Sequence, residues 1–227
     1  MSFEFITEYW PLYLQGAGVT LLLAFFTVLL GFMIGILLAF AKISKKRWLS
    51  FLATTYIEIV RGTPLLVQML IVFYMLPTFG VNIPNLFGIA KFGDYTLVVL
   101  ALVMNSAAYI AEIIRGGIQD VDKGQTEAGL ALGMSQSLLM RKIILPQAIK
   151  NILPALGNEF IVIIKESAIV SVVGITDLMF AAQQVRSATY LPFEPLIMAA
   201  VVYFIMTFTL SKIMQQVEGR MKQDATH

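Results

Sequence analysis

Residues 14–41 hold no charged side chain and are almost entirely Leu, Phe, Val, Ile, Ala, Gly and Thr. That run exceeds the ~20 residues a helix needs to cross about 30 Å of hydrocarbon, and it has no stable place in water. Further apolar runs follow at 64–79, with an amphipathic lead-in from Leu49, and at 95–114, 152–173 and 195–214. The run at 152–173 is the most interrupted, by Asn158, Glu159, Lys165 and Glu166. Charged residues are 13% of the chain, against about a quarter in soluble proteins. The expectation is an all-α integral membrane protein of five transmembrane helices, forming one domain over residues 1–227.

Basic residues set the expected orientation, because loops facing the cytoplasm carry the positive excess. Lys42, Lys45, Lys46 and Arg47 follow the first run, Arg115, Lys123, Arg141, Lys142 and Lys150 lie between the third and fourth, and Lys212, Arg220 and Lys222 close the chain. Lys91 and Arg186 fall on the opposite side, while Arg61 and Lys165 lie within or near spans. Five crossings then start outside, with Glu4 and Glu8, and leave the C-terminus in the cytoplasm. The first apolar run is too long for a signal-peptide core and no basic segment precedes it, so no cleaved leader is expected.

Several chemistries are excluded. There is no cysteine, and the one histidine, His227, reads as a solvated tail, so no metal site is expected. There is no phosphate-binding G-x-x-x-x-G-K-[ST] loop, so the chain is not expected to bind and hydrolyse ATP by itself, and no nucleophile motif supports an enzyme. The basic residues after the first span read as topology determinants, with no nucleic-acid role.

The stretch at about 120–146 is long for so economical a chain, which points to a function there. Thr126 offers a cap, Glu127 suits a first helical turn, and Leu130, Met134 and Leu138 recur at helical spacing. Two short helices joined at Gly133, with Pro146 restarting a helix, is one reading; an amphipathic helix on the lipid surface is the other.

Ionisable and polar groups inside spans are costly, which makes them functional candidates. Glu58 and Arg61, three apart, are expected to pair, ahead of the Gly62-Thr63-Pro64 break. Asn105, Tyr109 and Glu112 share one helical face beside Ser106, either as interhelical glue or as the wall of a path in which Glu112 meets a substrate ammonium. Asn158, Glu159 and Lys165 are a second set; Lys165 either neutralises Glu166 or attracts a substrate carboxylate. Gly31-x-x-x-Gly35 allows close helix approach, within the chain or at a dimer seam.

Glu127-Ala128, Gly133 six positions after the Glu, and Ile143-x-Leu145-Pro146 together resemble the EAA loop of permease subunits of ABC importers, with Gly129 where Ala is common. Glu58-Ile59-Val60-Arg61-Gly62-Thr63-Pro64-Leu65-Leu66-Val67-Gln68, Ala108-Tyr109-Ile110-Ala111-Glu112-Ile113-Ile114-Arg115-Gly116-Gly117-Ile118, Leu153-Pro154-Ala155-Leu156-Gly157-Asn158-Glu159-Phe160-Ile161 and Lys165-Glu166-Ser167 are similar to the polar amino-acid branch of that family. The resemblance spans nearly the whole chain and implies a type I importer permease (MetI-like) fold with cytoplasmic coupling helices. It implies that Glu127, Ala128, Gly129, Gly133, Ile143, Leu145 and Pro146 contact one of two ATP-binding subunits, which carry ATP and Mg, while this chain binds no cofactor. It further implies an identical or related second permease chain, an extracytoplasmic substrate-binding protein and a polar amino-acid substrate. A self-sufficient ion-coupled secondary transporter is the alternative, but five spans do not divide into inverted repeats and it leaves the 120–146 loop unexplained.

Overall fold

The computed structural model describes residues 4–81, 83–84 and 91–223, with side chains to residue 219; His227 and the side chains of Arg220 and Lys222 lie outside the described residues. In chain order the helices are α1 (Phe5–Lys42), α2 (Arg47–Arg61), α3 (Leu65–Thr78), α4 (Phe92–Gln119), α5 (Lys123–Ala131), α6 (Gln136–Leu139), α7 (Leu145–Glu166), α8 (Leu178–Thr189) and α9 (Glu194–Gln223). A π-helical turn, Met140–Ile144, leads into α7, and a 3₁₀ segment, Ser167–Val173, follows it.

Helices α1, α4 and α9 are each long and apolar enough to cross a membrane. The run at 64–79 and its lead-in form two helices, α2 and α3, bent by 105°, which together make a fourth crossing if counted as one broken span. Pro64 supplies no backbone donor, and the carbonyls it frees must be met elsewhere. By length and composition three helices, or four with the bent pair, can cross, and the remaining run of the expected five falls in α7 and the segment after it. Residues 152–173 are not one helix: α7 ends at Glu166 and the chain tightens to 3₁₀ geometry before Gly174 turns it in the left-handed region, at φ 80°.

The α1–α4 pair is the most extensive helix contact. Gly31 and Gly35 make it: a Cβ on Gly31 would lie 3.3 Å from Ser106 Oγ, and one on Gly35 would lie 2.8 Å from Ile110 Cγ2. The small-residue pattern therefore packs helices within the chain. At the other end of α1, Gly16 lets the turn before α8 approach, where a Cβ would lie 2.8 Å from both Asp177 O and Leu178 Cα. Asp177 caps α8 by accepting from Phe180 N at 2.9 Å, Thr20 Oγ1 accepts from Leu178 N at 3.2 Å, and Tyr13 OH donates to Pro195 O at 3.0 Å. Because the obstacle at Gly16 is backbone, Gly16→Val should overpack this junction at a cost of about 1–3 kcal/mol, read as a lower melting temperature of the purified protein. An unchanged melting temperature would show that α8 is free to move off α1.

Candidate functional site

The 120–146 loop is built from local rules. Asp122 caps α5, its Oδ1 accepting from Gly124 N at 2.6 Å. Thr126, the expected cap, lies one turn inside, because an Asp immediately ahead of the helix takes the role first. The helix closes at Gly133, whose φ of 77° is left-handed, with Met134 N donating back to Gly129 O at 3.1 Å. That is the usual glycine-closed helix end. Ser135 then caps α6, accepting from Leu138 N at 3.4 Å. The loop thus folds as two short helices joined at Gly133.

The π-helical turn had no advance signal, yet its cause is in the sequence. Pro146 cannot donate to Lys142 O and its ring presses on that carbonyl, so the ladder widens and Leu145 N bonds to Met140 O instead. Pro146 itself sits in the first turn of α7.

Two faces result. Inward, Leu139 and Ile144 are buried in one apolar cluster with Ile57 and Val60 of α2, Ala108, Ile110, Ala111 and Ile114 of α4, and Ala148 and Ile152 of α7. Gly129 belongs to that face, since a Cβ there would lie 2.5 Å from Leu139 Cδ1. The glycine in place of the usual alanine makes room for leucine. Ile143 and Leu145 are half-buried. Outward, Glu127, Ala128, Leu130, Leu138 and Pro146 are exposed, and Leu132, beside Gly133, is 83% exposed. The loop therefore presents an apolar tip on a base continuous with the helix core.

Inside the bundle, the polar groups of α4 are divided among partners. Asn105 donates its Nδ2 to Gln68 Oε1 at 2.9 Å, and buried Ser106 donates to Glu159 Oε1 of α7 at 3.2 Å. Gln68 Nε2 in turn donates to Val60 O at 2.7 Å, to Thr63 Oγ1 at 2.7 Å and to Thr63 O at 3.1 Å. One amide side chain thus satisfies the carbonyls freed at the Gly62-Thr63-Pro64 break and ties that break to α4. Glu159 faces inward, whereas Asn158 and Lys165 of the same helix are exposed.

Glu112 is the hub of an ionic cluster. Lys42 Nζ reaches its Oε1 at 2.7 Å, and Arg115 Nη2 and Arg61 Nη1 reach Oε2 at 2.9 Å and 3.6 Å. Arg115 also donates to Gln119 Oε1. The expected Glu58–Arg61 pair is replaced: Glu58 faces Lys42 at 3.9 Å, while Arg61 turns to Glu112 and sits 5.3 Å from the ring centroid of Tyr109. The 105° bend after α2 carries Arg61 to α4, where a less exposed carboxylate is available.

Residues 31–223 match the family described as the binding-protein-dependent transport system inner membrane component. The chain belongs to this family. It is 41% identical to the arginine transport system permease protein ArtQ of Bacillus subtilis (strain 168), over 94% of each chain. It is 44% identical to the putative glutamine transport system permease protein GlnP of Rickettsia prowazekii (strain Madrid E), over 96% of this chain and 97% of that one. Among solved structures, the crystal structure of an amino acid ABC transporter with histidines aligns with a TM-score of 0.89 at 49% identity, over 97% of this chain and all of the other. An inward-facing methionine transporter, MetNI, aligns with a TM-score of 0.72 at 18% identity and shows the shared fold.

This inner-membrane component is a permease, a transport subunit that crosses the membrane several times and works with separate ATP-hydrolysing and substrate-binding proteins. The family assigns ATP and its Mg to the ATP-hydrolysing partner. In the permease, sequence reading missed two residues that organise the helix ends. Lys42 looked like one more topology determinant, and Gln68 lay in a quoted motif without a role. The signal for Gln68 was its place four residues after Pro64, where freed carbonyls need a donor.

Proposed function

We propose that this permease carries a polar amino acid across the cytoplasmic membrane, driven by ATP-binding subunits that dock on the tip of the 120–146 loop. The observation that carries this reading is the loop's double character: Leu132 stands exposed at the tip, while Leu139 and Ile144 at its base share a core with α2, α4 and α7. A push on the tip would pass into three helices as one packed unit. Glu127, Ala128 and Gly133 form the outward contact, and Gly129, Ile143, Leu145 and Pro146 hold it in place.

The basic residues around Lys42 and in the loop put that end of the bundle in the cytoplasm, with the N-terminus outside. A pathway requires two permease chains, identical or related, above two ATP-binding subunits and below an extracytoplasmic binding protein. Asn105, Ser106 and Glu159, with the more exposed Tyr109, Asn158 and Lys165, are the candidates for lining it. Glu58, Arg61, Gly62, Thr63 and Pro64 shape the bend beside it, and Glu112 holds the helix ends. Amino-acid carriage follows the named relatives.

The chain has no cysteine, so Leu132→Cys creates a single thiol at the tip. In native membranes a short bifunctional reagent should join it to a protein bearing a phosphate-binding loop. Cross-links to lipid or to a second permease alone would remove the tip from the ATPase contact.

A further inference from the structure

Helix α2 is set across the end of the bundle, not along it. Ser50, near its start, donates to Lys42 O at 2.7 Å; at its far end Glu58 lies 3.9 Å from Lys42 Nζ, and Arg61 lies 3.6 Å from the carboxylate of Glu112 that Lys42 also holds. Both ends of α2 are therefore tied to the last residue of α1 or to its ion-pair partner, Tyr56 midway along donates to Met104 O of α4 at 2.7 Å, and the 105° turn into α3 follows.

At about 100° per residue the side chains of α2 sort into three faces. Ala53, Ile57 and Val60 are buried against the bundle. Arg47, Thr54, Glu58 and Arg61 make a polar flank roughly 100° away. The third face is apolar and exposed: Trp48 63%, Phe51 68%, Leu52 57% and Ile59 60%. A helix that crosses lipid at the edge of a bundle meets two environments, protein and acyl chains. A helix lying in the membrane surface meets three, because water and headgroups are added on the side opposite the acyl chains.

We propose that α2 lies in the plane of the membrane interface, with Trp48, Phe51, Leu52 and Ile59 among the acyl chains and Lys45, Lys46 and Arg47 bound to anionic phospholipid headgroups. Charge complementarity selects that lipid class, since the three cations are consecutive and lead directly into the exposed apolar face. The consequence for transport lies in what α2 is joined to. Its last turn supplies Val60 O to Gln68, and Gln68 holds Asn105 of α4. Anionic lipid that seats α2 would thereby steady the bend beside the polar interior.

The test uses the intact transporter, with its partner subunits, in vesicles of phosphatidylcholine and phosphatidylglycerol. A nitroxide on Leu52→Cys should be open to oxygen and closed to a water-soluble nickel chelate, with the opposite at Thr54→Cys; the unsubstituted transporter, labelled alongside, gives the partners' background. A nitroxide at 52 shielded from both relaxants would mean that a second permease or another subunit covers the face, and nickel access would mean water; either overturns the proposal. In the Lys45→Gln/Lys46→Gln/Arg47→Gln variant, the phosphatidylglycerol fraction giving half-maximal transport should rise by about fivefold or more, the attraction of one basic residue at an anionic surface. An unchanged lipid dependence would remove the headgroup contact.

Discussion

Gly133→Trp is expected to abolish coupled transport while leaving the chain inserted and folded in the membrane. Position 133 sits at φ 77°, so any side chain there meets a left-handed cost of about 1–2 kcal/mol. That strain is local and small beside the stability of the bundle. Apart from its own chain neighbours, no atom of the described residues lies within 4 Å of where its Cβ would stand, so the side chain leaves the backbone into open space. It would project beside Leu132 into the volume assigned to the ATP-binding subunit. Gly133→Ala separates the two effects, carrying the strain without the bulk, and should retain most of the transport. The readout is amino-acid uptake set against ATP hydrolysis in the reconstituted transporter, with membrane insertion checked by extraction. Normal uptake by Gly133→Trp would place the ATPase contact elsewhere.

Glu112→Gln should produce the largest loss of stability among single substitutions that leave size unchanged. Glu112 is 15% exposed and compensates Lys42, Arg61 and Arg115 at once. Without its charge, three cations from α1, α2 and α4 face one another. The cost is about 2–3 kcal/mol, between that of an exposed ion pair and that of a fully buried one. The melting midpoint of the purified transporter should fall by on the order of 5 °C. Lys42→Met alone should cost less, because Glu112 keeps two partners, and the double variant should cost less than the sum of the singles. The same shift with and without substrate is expected; a shift seen only with substrate would move Glu112 from the helix ends into the transport path.

Much of this architecture was legible from residue order. The first, third and fifth apolar runs are α1, α4 and α9, because length and absence of charge decide a span without help from tertiary contacts. Gly133 read correctly as the joint of two short helices, since helix-forming residues on either side leave glycine the only comfortable turning point. The pairing of Glu58 with Arg61 did not survive. Spacing along one helix says which side chains can meet, but the 105° bend after α2 brings a better-shielded carboxylate, Glu112 from about fifty positions away, within Arg61's reach. The limits of the run at 152–173 were not legible for a related reason: hydropathy averages over Glu159, which is buried against Ser106, and over the 3₁₀ segment that follows the helix end at Glu166.

The ionic hub and the loop core are adjacent, and that adjacency gives the proposed ATPase docking a physical route into the bundle. Ile57, Val60, Ile110 and Ile114 bracket the hub and share one cluster with Leu139 and Ile144 of the loop. Gly117 of α4 lets α7 approach so closely that a Cβ would lie 2.4 Å from Ile152 Cγ1. Close-packed contacts of this kind move as units rather than yielding gradually. Displacement of the loop by a closing ATPase pair would therefore tilt α4 and α7 together, and with them Ser106 and Glu159.

The most direct measurement is purification of this chain from its native membranes in mild detergent, after cross-linking, with mass spectrometry of everything retained. Docking of an ATPase on the loop tip predicts a soluble protein carrying a phosphate-binding G-x-x-x-x-G-K-[ST] loop in the same eluate, with a second permease chain if the pair is heteromeric. Recovery of this chain alone would contradict it, and would return the chain to the class of transporters that work without an ATPase.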